Sequence, residues 1–382
     1  MFIESYLQTA AHLFEQYDLQ MPLHLYTREY FRNNKKFGSR DRKYISELLY
    51  GIYRLGKANE HIPVRDRLII GSWLSGRLPV LFFSKINTTL SDNAALPFEE
   101  KIAFAKEKHD CNFQLPFSLT KGLKEEEFIK NLFSQPNVFI RIRQNKTEIE
   151  QALNKAEIKY KKISDTCFSF DTNVKLNEIL EPKDYVIQDL SSQHTGNYFA
   201  PTSSQKWWDC CAASGGKSIM LLDKNSKVEL TVSDIRESIL KNLHERMQLY
   251  GFGNHYVSFI ADVSTDVSNV IKGTFDGIIC DVPCTGSGTW ARSPEQFYFF
   301  TEEKLKEYTV LQHAIVSNAV QYLKPGGRLF YITCSVIEDE NELLLSNIIE
   351  QGNIQIERSG LIDKTKDGGD CMYIAVINKG HL

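Results

Sequence analysis

Trp207-Trp208-Asp209-Cys210-Cys211-Ala212-Ala213-Ser214-Gly215-Gly216-Lys217-Ser218 reads as an apolar strand that ends on an acid, breaks into a glycine turn and opens a helix. From there to the C-terminus the two periodicities alternate. Strands are expected at Lys206–Trp208, Glu229–Val232, Tyr256–Ile260, Phe275–Cys280 and Arg328–Ile332, with two more near the end of the chain. Helices are expected from Lys217 and at Glu237–Leu249, Glu302–Leu323 and Glu338–Glu350, with a turn at Lys324-Pro325-Gly326-Gly327. This alternation predicts an α/β fold, a doubly wound, mainly parallel sheet with helices on both faces. Ligands of such sheets collect beyond the carboxyl ends of the strands. Asp209, Asp234, Asp262, Asp281 and Cys334 all fall at or just past predicted strand ends.

Upstream, Ile3, Leu7, Ala11 and Phe14 lie on one helical stripe, and Ile45, Leu48, Leu49 and Ile52 on another. The pattern changes near Gln135-Pro136, where Val138, Ile140 and Ile142 alternate with Phe139, Arg141 and Arg143 ahead of a helical run from Thr147 to Ala156. The expected division is an all-helical domain at 1–130, a small α+β module at 131–190 and the α/β domain at 191–382. A length of 382 residues suits two or three domains. The opening Met1-Phe2-Ile3-Glu4-Ser5 lacks a basic start and an apolar run, and the apolar stretch Leu78–Phe83 is too short to span a bilayer, so neither export nor membrane insertion is expected. Eight cysteines without regular spacing read as reduced thiols of a cytoplasmic protein. Adjacent Cys210-Cys211 and the lack of any C-x-x-C pair speak against a metal site.

A net charge of −3 does not mark a nucleic-acid binder, but local clusters differ from the average. Arg28, Arg32, Lys35, Lys36, Arg40, Arg42 and Lys43 stand among Tyr26, Tyr30, Phe31 and Phe37, a mixture suited to phosphate contact and base stacking, or simply to a solvated helix face. Arg141, Arg143, Lys146, Lys155, Lys159, Lys161 and Lys162 form a second candidate polyanion patch, with the same alternative.

Gly216-Lys217-Ser218 superficially resembles a phosphate loop, but Cys211 stands where that loop needs glycine, and the dinucleotide fingerprint G-x-G-x-x-G is missing. What remains is a loop whose Gly215 and Gly216 permit close approach of a small nucleotide-like ligand. Asp234 is placed to hold ribose hydroxyls or to cap the following helix. Cys284, in Asp281-Val282-Pro283-Cys284-Thr285-Gly286-Ser287-Gly288, and Cys334, in Thr333-Cys334-Ser335, lie past their strands beside polar residues. Neighbouring strands are about 4.8 Å apart, so their terminal loops can converge on one substrate. Lys217 and Arg292 are candidates for the positive surroundings that a nucleophilic thiolate needs. The alternative is that these cysteines are small buried hydrophobes, a reading that fits Cys280 within its apolar run.

At these residues the chain resembles the RNA (cytosine-5) methyltransferases of the RsmB/NOP (Sun/Fmu) type, from about Asn137 onward. Family members carry C-A-A-P-G-G-K, D-A-P-C-S-G-x-G and T-C-S, matched here by Cys211–Lys217, Asp281–Gly288 and Thr333-Cys334-Ser335. Gln188–Gln193 is similar to the entry into the family's catalytic domain, and Ser39–Arg42 through Leu48–Arg54 is similar, more weakly, to a NusB-like RNA-binding module. The resemblance implies a Rossmann-like methyltransferase domain that holds S-adenosylmethionine on Cys211, Ala212, Ala213, Ser214, Gly215, Gly216 and Lys217, with Asp234 on its ribose, Asp262 near its adenine and Asp281 beside the reacting base. It further implies attack by Cys334 on carbon 6 of a cytosine in RNA, stabilisation by Asp281 and release of the adduct with help from Cys284. A monomer acting on ribosomal (16S) RNA is the matching expectation. Ser214 replaces the family's usual proline, and Ile239 stands where an arginine is common, which puts cofactor affinity in question before activity. A P-loop-like NTPase and a non-catalytic RNA-binding factor on the same scaffold are the competing readings.

Overall fold

The structure, a computed structural model, describes residues 2–171, 174–351 and 354–379 and comprises two compact units. The first contains residues 1–117, 123–135 and 289–301; the second contains 118–122, 136–288 and 302–382.

The first unit is helical. Its longest helices are Ile3–Gln16, Leu23–Asn33, Ser39–Arg54, Val64–Ser75 and Phe98–His109. The Ser39–Arg54 helix turns Ile45, Leu48, Leu49 and Ile52 wholly inward, as their i, i+3, i+4, i+7 spacing requires. The short helix Pro294–Tyr298 is also part of this unit, although it follows the Cys284 motif in sequence. There the Glu295 carboxylate accepts the Leu23 N–H at 3.2 Å.

The second unit contains two sheets. Strands β1 (Val138–Ile142), β2 (Lys161–Ser164), β3 (Cys167–Phe170) and β4 (Tyr185–Ile187) form an antiparallel sheet in the order β2-β3-β1-β4. Its apolar face holds Ile140, Ile142, Phe168 and Phe170 against Ile149 and Leu153 of the helix Lys146–Lys155.

The large sheet is built from β5 (Lys206–Asp209), β6 (Glu229–Asp234), β7 (Tyr256–Ile260), β8 (Phe275–Asp281), β9 (Leu323–Thr333), β10 (Ile354–Asp363) and β11 (Cys371–Lys379). Their order is β10-β11-β9-β8-β5-β6-β7, with β9, β8, β5, β6 and β7 parallel and β10 and β11 antiparallel. Successive side chains face opposite layers. Trp208, Ile278, Cys280, Leu329 and Tyr331 pack on one face, while Trp207, Ile279, Phe330 and Ile332 pack on the other with Ile219, Leu222 and Leu243. The doubly wound, mainly parallel sheet predicted from the alternation is the fold observed. Among the described residues, no helix is long and apolar enough to cross a membrane.

Two local expectations change. Lys324–Gly327 is not a separate turn but lies within β9, where the register jumps from Phe275↔Leu323 to Gly277↔Arg328 and Gly326 takes φ +73°. A bulge absorbs the extra residues. The helix predicted over Glu338–Glu350 is broken: Glu338–Glu340 is a 3₁₀ turn and the α-helix starts at Glu342.

Candidate active site

The parallel order brings the carboxyl ends of β5, β6, β8 and β9 to one edge. Asp209, Asp234 and Asp281 are the last residues of their strands, Cys334 is one residue past β9, and Asp262 is two past β7.

β5 runs into a loop with two left-handed residues, Ala213 (φ +45°) and Gly215 (φ +81°). The first is uncommon for a residue with a side chain and persists only where surrounding bonds enforce it. Here Ala212 N–H donates to Ser233 O (2.9 Å), Ala213 N–H to Asp234 Oδ2 (3.0 Å) and Gly215 N–H to Ala212 O (2.8 Å). Arg246 Nη1 donates to both the carbonyl (2.6 Å) and the hydroxyl (2.8 Å) of Ser214. A Cβ on Gly216 would meet nothing within 4 Å, so the helix Gly216–Lys224 begins beside open space.

Asp209 is buried. Its Oδ2 accepts the Ser218 hydroxyl at 2.6 Å, while Oδ1 is buried without a partner, and burial pushes the carboxyl up to about 7. Burial also works against the charge of Asp234, yet the hydrogen bonds from Arg236 and from Ala213 N–H hold this carboxyl below its usual value. Asp234 therefore binds the loop to β6 and does not cap the next helix, whose N-cap is Arg236. Asp262 Oδ1 accepts the backbone N–H (3.0 Å) and hydroxyl (2.6 Å) of Ser264.

The two thiols converge. Cys284 Sγ lies 3.3 Å from Cys334 Sγ, both half-buried. The hydrogen bond with Cys334 and then burial push the Cys284 thiol well above its usual value. Lys217 Nζ stands 2.7 Å from Asp281 Oδ2. Burial opposes its charge, but Asp281 and the neighbouring Cys334 sulfur hold the ammonium above its usual pKa. Cys210 and Cys280 approach to 3.1 Å within the core, and burial raises both. Cys211 is raised by its hydrogen bond with Cys210 and by burial.

Several supporting residues carried no legible motif. Buried Glu340 accepts Thr285 N–H (2.8 Å), Thr285 Oγ1–H (2.5 Å) and Gln312 Nε2 (2.9 Å), while Gln312 also donates to Pro283 O (2.8 Å) and the Tyr331 hydroxyl donates to the Glu340 carbonyl. Asn341 accepts Thr333 Oγ1–H (2.7 Å) and donates to Ser335 O (3.0 Å) and Thr120 Oγ1 (2.7 Å). These inward bonds on both thiol loops break the helix predicted over this stretch, because polar side chains at 340 and 341 cannot serve the loops from a regular helix face. Their only sequence signal was an acid-rich run a few residues past Cys334.

The basic clusters also differ from expectation. Arg141 and Arg143 are half-buried against Asp223 (2.6 and 2.7 Å), and Lys146, Lys161 and Lys162 are paired with Asp165 or Asp367, so the second cluster is largely neutralised. All seven basic residues of the first cluster are exposed, but Phe31 and Phe37 are core side chains and offer no face for stacking.

Residues 197–373 match the family model for 16S rRNA methyltransferase RsmB/F. That match covers a little under half of the chain. Among its relatives, ribosomal RNA small subunit methyltransferase B of Vibrio cholerae is 28% identical over 202 residues, 51% of this chain and 46% of that protein. The Shewanella oneidensis protein of the same name is 26% identical over 262 residues, 62% and 58% of the two chains. The chain thus spans about half the length of the curated relatives it matches. The crystal structure of PH0851 aligns over 98% of both chains with TM-score 0.71 at 16% identity. NSun6 from Pyrococcus horikoshii, solved with SFG, aligns over 68% of this chain and 94% of its own with TM-score 0.59, also at 16% identity. At such identities these likenesses show the fold alone.

Proposed function

We propose that this protein is a member of the RsmB/F family and an S-adenosylmethionine-dependent RNA (cytosine-5) methyltransferase acting on ribosomal RNA of the small subunit. The observation that carries the reading is the pair of thiols 3.3 Å apart at the ends of adjacent strands, beside a lysine–aspartate ion pair. Enzymes that methylate exocyclic amines need no thiol, whereas carbon 5 of cytosine is too poor a nucleophile until carbon 6 has been attacked.

The residues present fit the cofactor. Gly216 faces open space, Asp234 ends β6 where a ribose would lie, and Asp281 adds negative charge that suits a cationic sulfonium. Asp234 would exchange its bonds to the exposed Arg236 side chain for ribose hydroxyls. When bound, S-adenosylmethionine supplies a methyl group on a positively charged sulfur.

Cys284 keeps its proton and directs it toward Cys334, and the Lys217 ammonium adds positive charge, so the pair stabilises a thiolate on Cys334. Bond formation from that sulfur to carbon 6 moves the C5=C6 electron pair towards carbon 5 and N3. Asp281 accepts from the N4 amino group and so holds the base edge in place, and the Lys217 ammonium paired with it offsets the negative charge that builds at N3. Once Cys334 is tied to carbon, the hydrogen bond that most raised Cys284 is gone. Cys284 then loses its proton to solvent and serves as the base that removes the proton from methylated carbon 5. The C5=C6 bond re-forms and Cys334 leaves as thiolate.

In this reading residues 1–130, with a NusB-like fold, and 131–190 place the RNA, and the enzyme works as a cytoplasmic monomer without metal. The target cytosine must leave its stack or sit in a loop to reach the thiols. Bisulfite sequencing of ribosomal RNA from cells with and without the gene tests the proposal. One cytosine should lose protection when the gene is absent; an unchanged map, together with no labelled methyl transfer to RNA by the purified protein, would sink it.

A further inference from the structure

An open pocket of about 710 Å³ lies along the helix Gly216–Lys224 in the second unit, lined in part by Arg141, Arg143, Lys224, Lys364, Asp223 and Asp367. Its carboxylates are committed. Asp223 pairs with Arg141 (2.6 Å) and Arg143 (2.7 Å), and Asp367 with Lys161 (3.7 Å). Among the described residues, Lys224 and Lys364 have no carboxylate within ion-pair distance, and Arg141 Nη2 is buried without a hydrogen-bond partner. Such a donor lacks the acceptor that burial demands, and an anion would supply one. Two neighbours sense the surplus charge. Burial and then Arg141 push Lys224 below its usual pKa, and burial and then Lys364 do the same to His194.

The pocket's rim leads to the thiol edge. Lys364 N–H donates to Asp370 O (3.2 Å), and β11 starts at the next residue, Cys371. A Cβ on Gly288 would lie 2.2 Å from Cys371 O and 3.0 Å from Cys334 O, so the backbone leaving the pocket runs against the backbone of the thiol loop.

We infer that this pocket binds a backbone phosphate of the RNA whose target base enters the thiol site, with Arg141 Nη2, Lys224 and Lys364 as its ligands. The inference rests on the RNA-methylating reading. A chain passing the thiol edge brings anionic oxygens at regular intervals, and the guanidinium with two ammonium groups suits their tetrahedral charge.

The test measures affinity of the full-length protein for a small-subunit ribosomal RNA transcript across a salt series. Lys224→Met and Lys364→Met should each weaken binding several-fold and flatten the plot of log K against log salt by about 0.7–0.9 per lost phosphate contact. Methyl transfer at saturating RNA and the KM for the donor should stay unchanged. Lys227→Met, an exposed lysine outside the pocket, serves as control and should keep the wild-type slope. Wild-type slopes in both pocket variants, with methylation intact, overturn the inference and leave the proposed activity standing. A wild-type protein that neither binds nor methylates RNA overturns both.

Discussion

Lys217 Nζ lies 2.7 Å from Asp281 Oδ2, and the Cys334 sulfur is near enough to help hold the ammonium charged. This arrangement makes Lys217 a source of positive charge for the thiol as well as a partner for the acid. Lys217→Met should lower kcat by about a hundredfold or more, the usual scale for loss of one well-placed electrostatic group. Alkylation of Cys334 by iodoacetamide at neutral pH should be slower in the variant. An unchanged rate would remove Lys217 from the thiol's environment.

The closeness of Cys284 to Cys334 separates their roles. Cys284→Ala should accumulate a protein–RNA adduct that survives denaturing electrophoresis, because carbon 5 loses its base. Cys334→Ala should form none and should not methylate. Normal turnover by Cys334→Ala would reverse the assignment.

Glu340 supports the Cys284 loop through both carboxylate oxygens. Glu340→Leu keeps a similar volume but removes the acceptor of Thr285 N–H and Gln312 Nε2, and leaving such donors unpaired costs about 1–3 kcal/mol. The variant should unfold at lower denaturant concentration and should retain a smaller fraction of trapped adduct than Cys284→Ala, reflecting slowed release. Wild-type stability and release would show that the loop does not depend on this acid.

Arg246 holds the loop between β5 and the helix Gly216–Lys224 through Ser214, supplying from outside the loop a restraint that proline would build in. Arg246→Ala should raise the KM for the methyl donor by about tenfold, equivalent to about 1.4 kcal/mol, with little change in kcat. Ser214→Ala loses one of the two bonds and should have the smaller effect. Equal effects on kcat and KM would point to damage beyond the loop.

Asp209 carries a carboxyl raised to about 7 from an ordinary 3.8, with burial the main cause. Its folded pKa exceeds its unfolded one, so between about pH 4 and 7 the folded state binds more protons and stability falls as pH rises through that window. Asp209→Asn removes the titration while keeping an acceptor for Ser218. Urea unfolding should find the variant more stable than the parent at pH 8 and about equal below about pH 4, a difference of up to about 4 kcal/mol. A parallel pH dependence in both proteins would assign the effect to another group.

The sequence alone determined the strand–helix alternation, because apolar periodicity is a local property that survives packing, and with it the ends of β5, β6 and β8 and the thiols just beyond β8 and β9. It also marked where glycine was required, since φ +81° at Gly215 is a local backbone demand. Tertiary structure decided the rest. Glu340 and Asn341 read as helical until the inward bonds to Thr285, Thr333 and Ser335 are seen, and Arg246 reads as an ordinary surface cation of its helix until Ser214 is found opposite it. Arg141 and Arg143 looked like a basic patch because their neutralising acid, Asp223, is eighty residues away in sequence. Ion pairs and buried hydrogen bonds join partners that are distant in sequence, and only the folded chain chooses them.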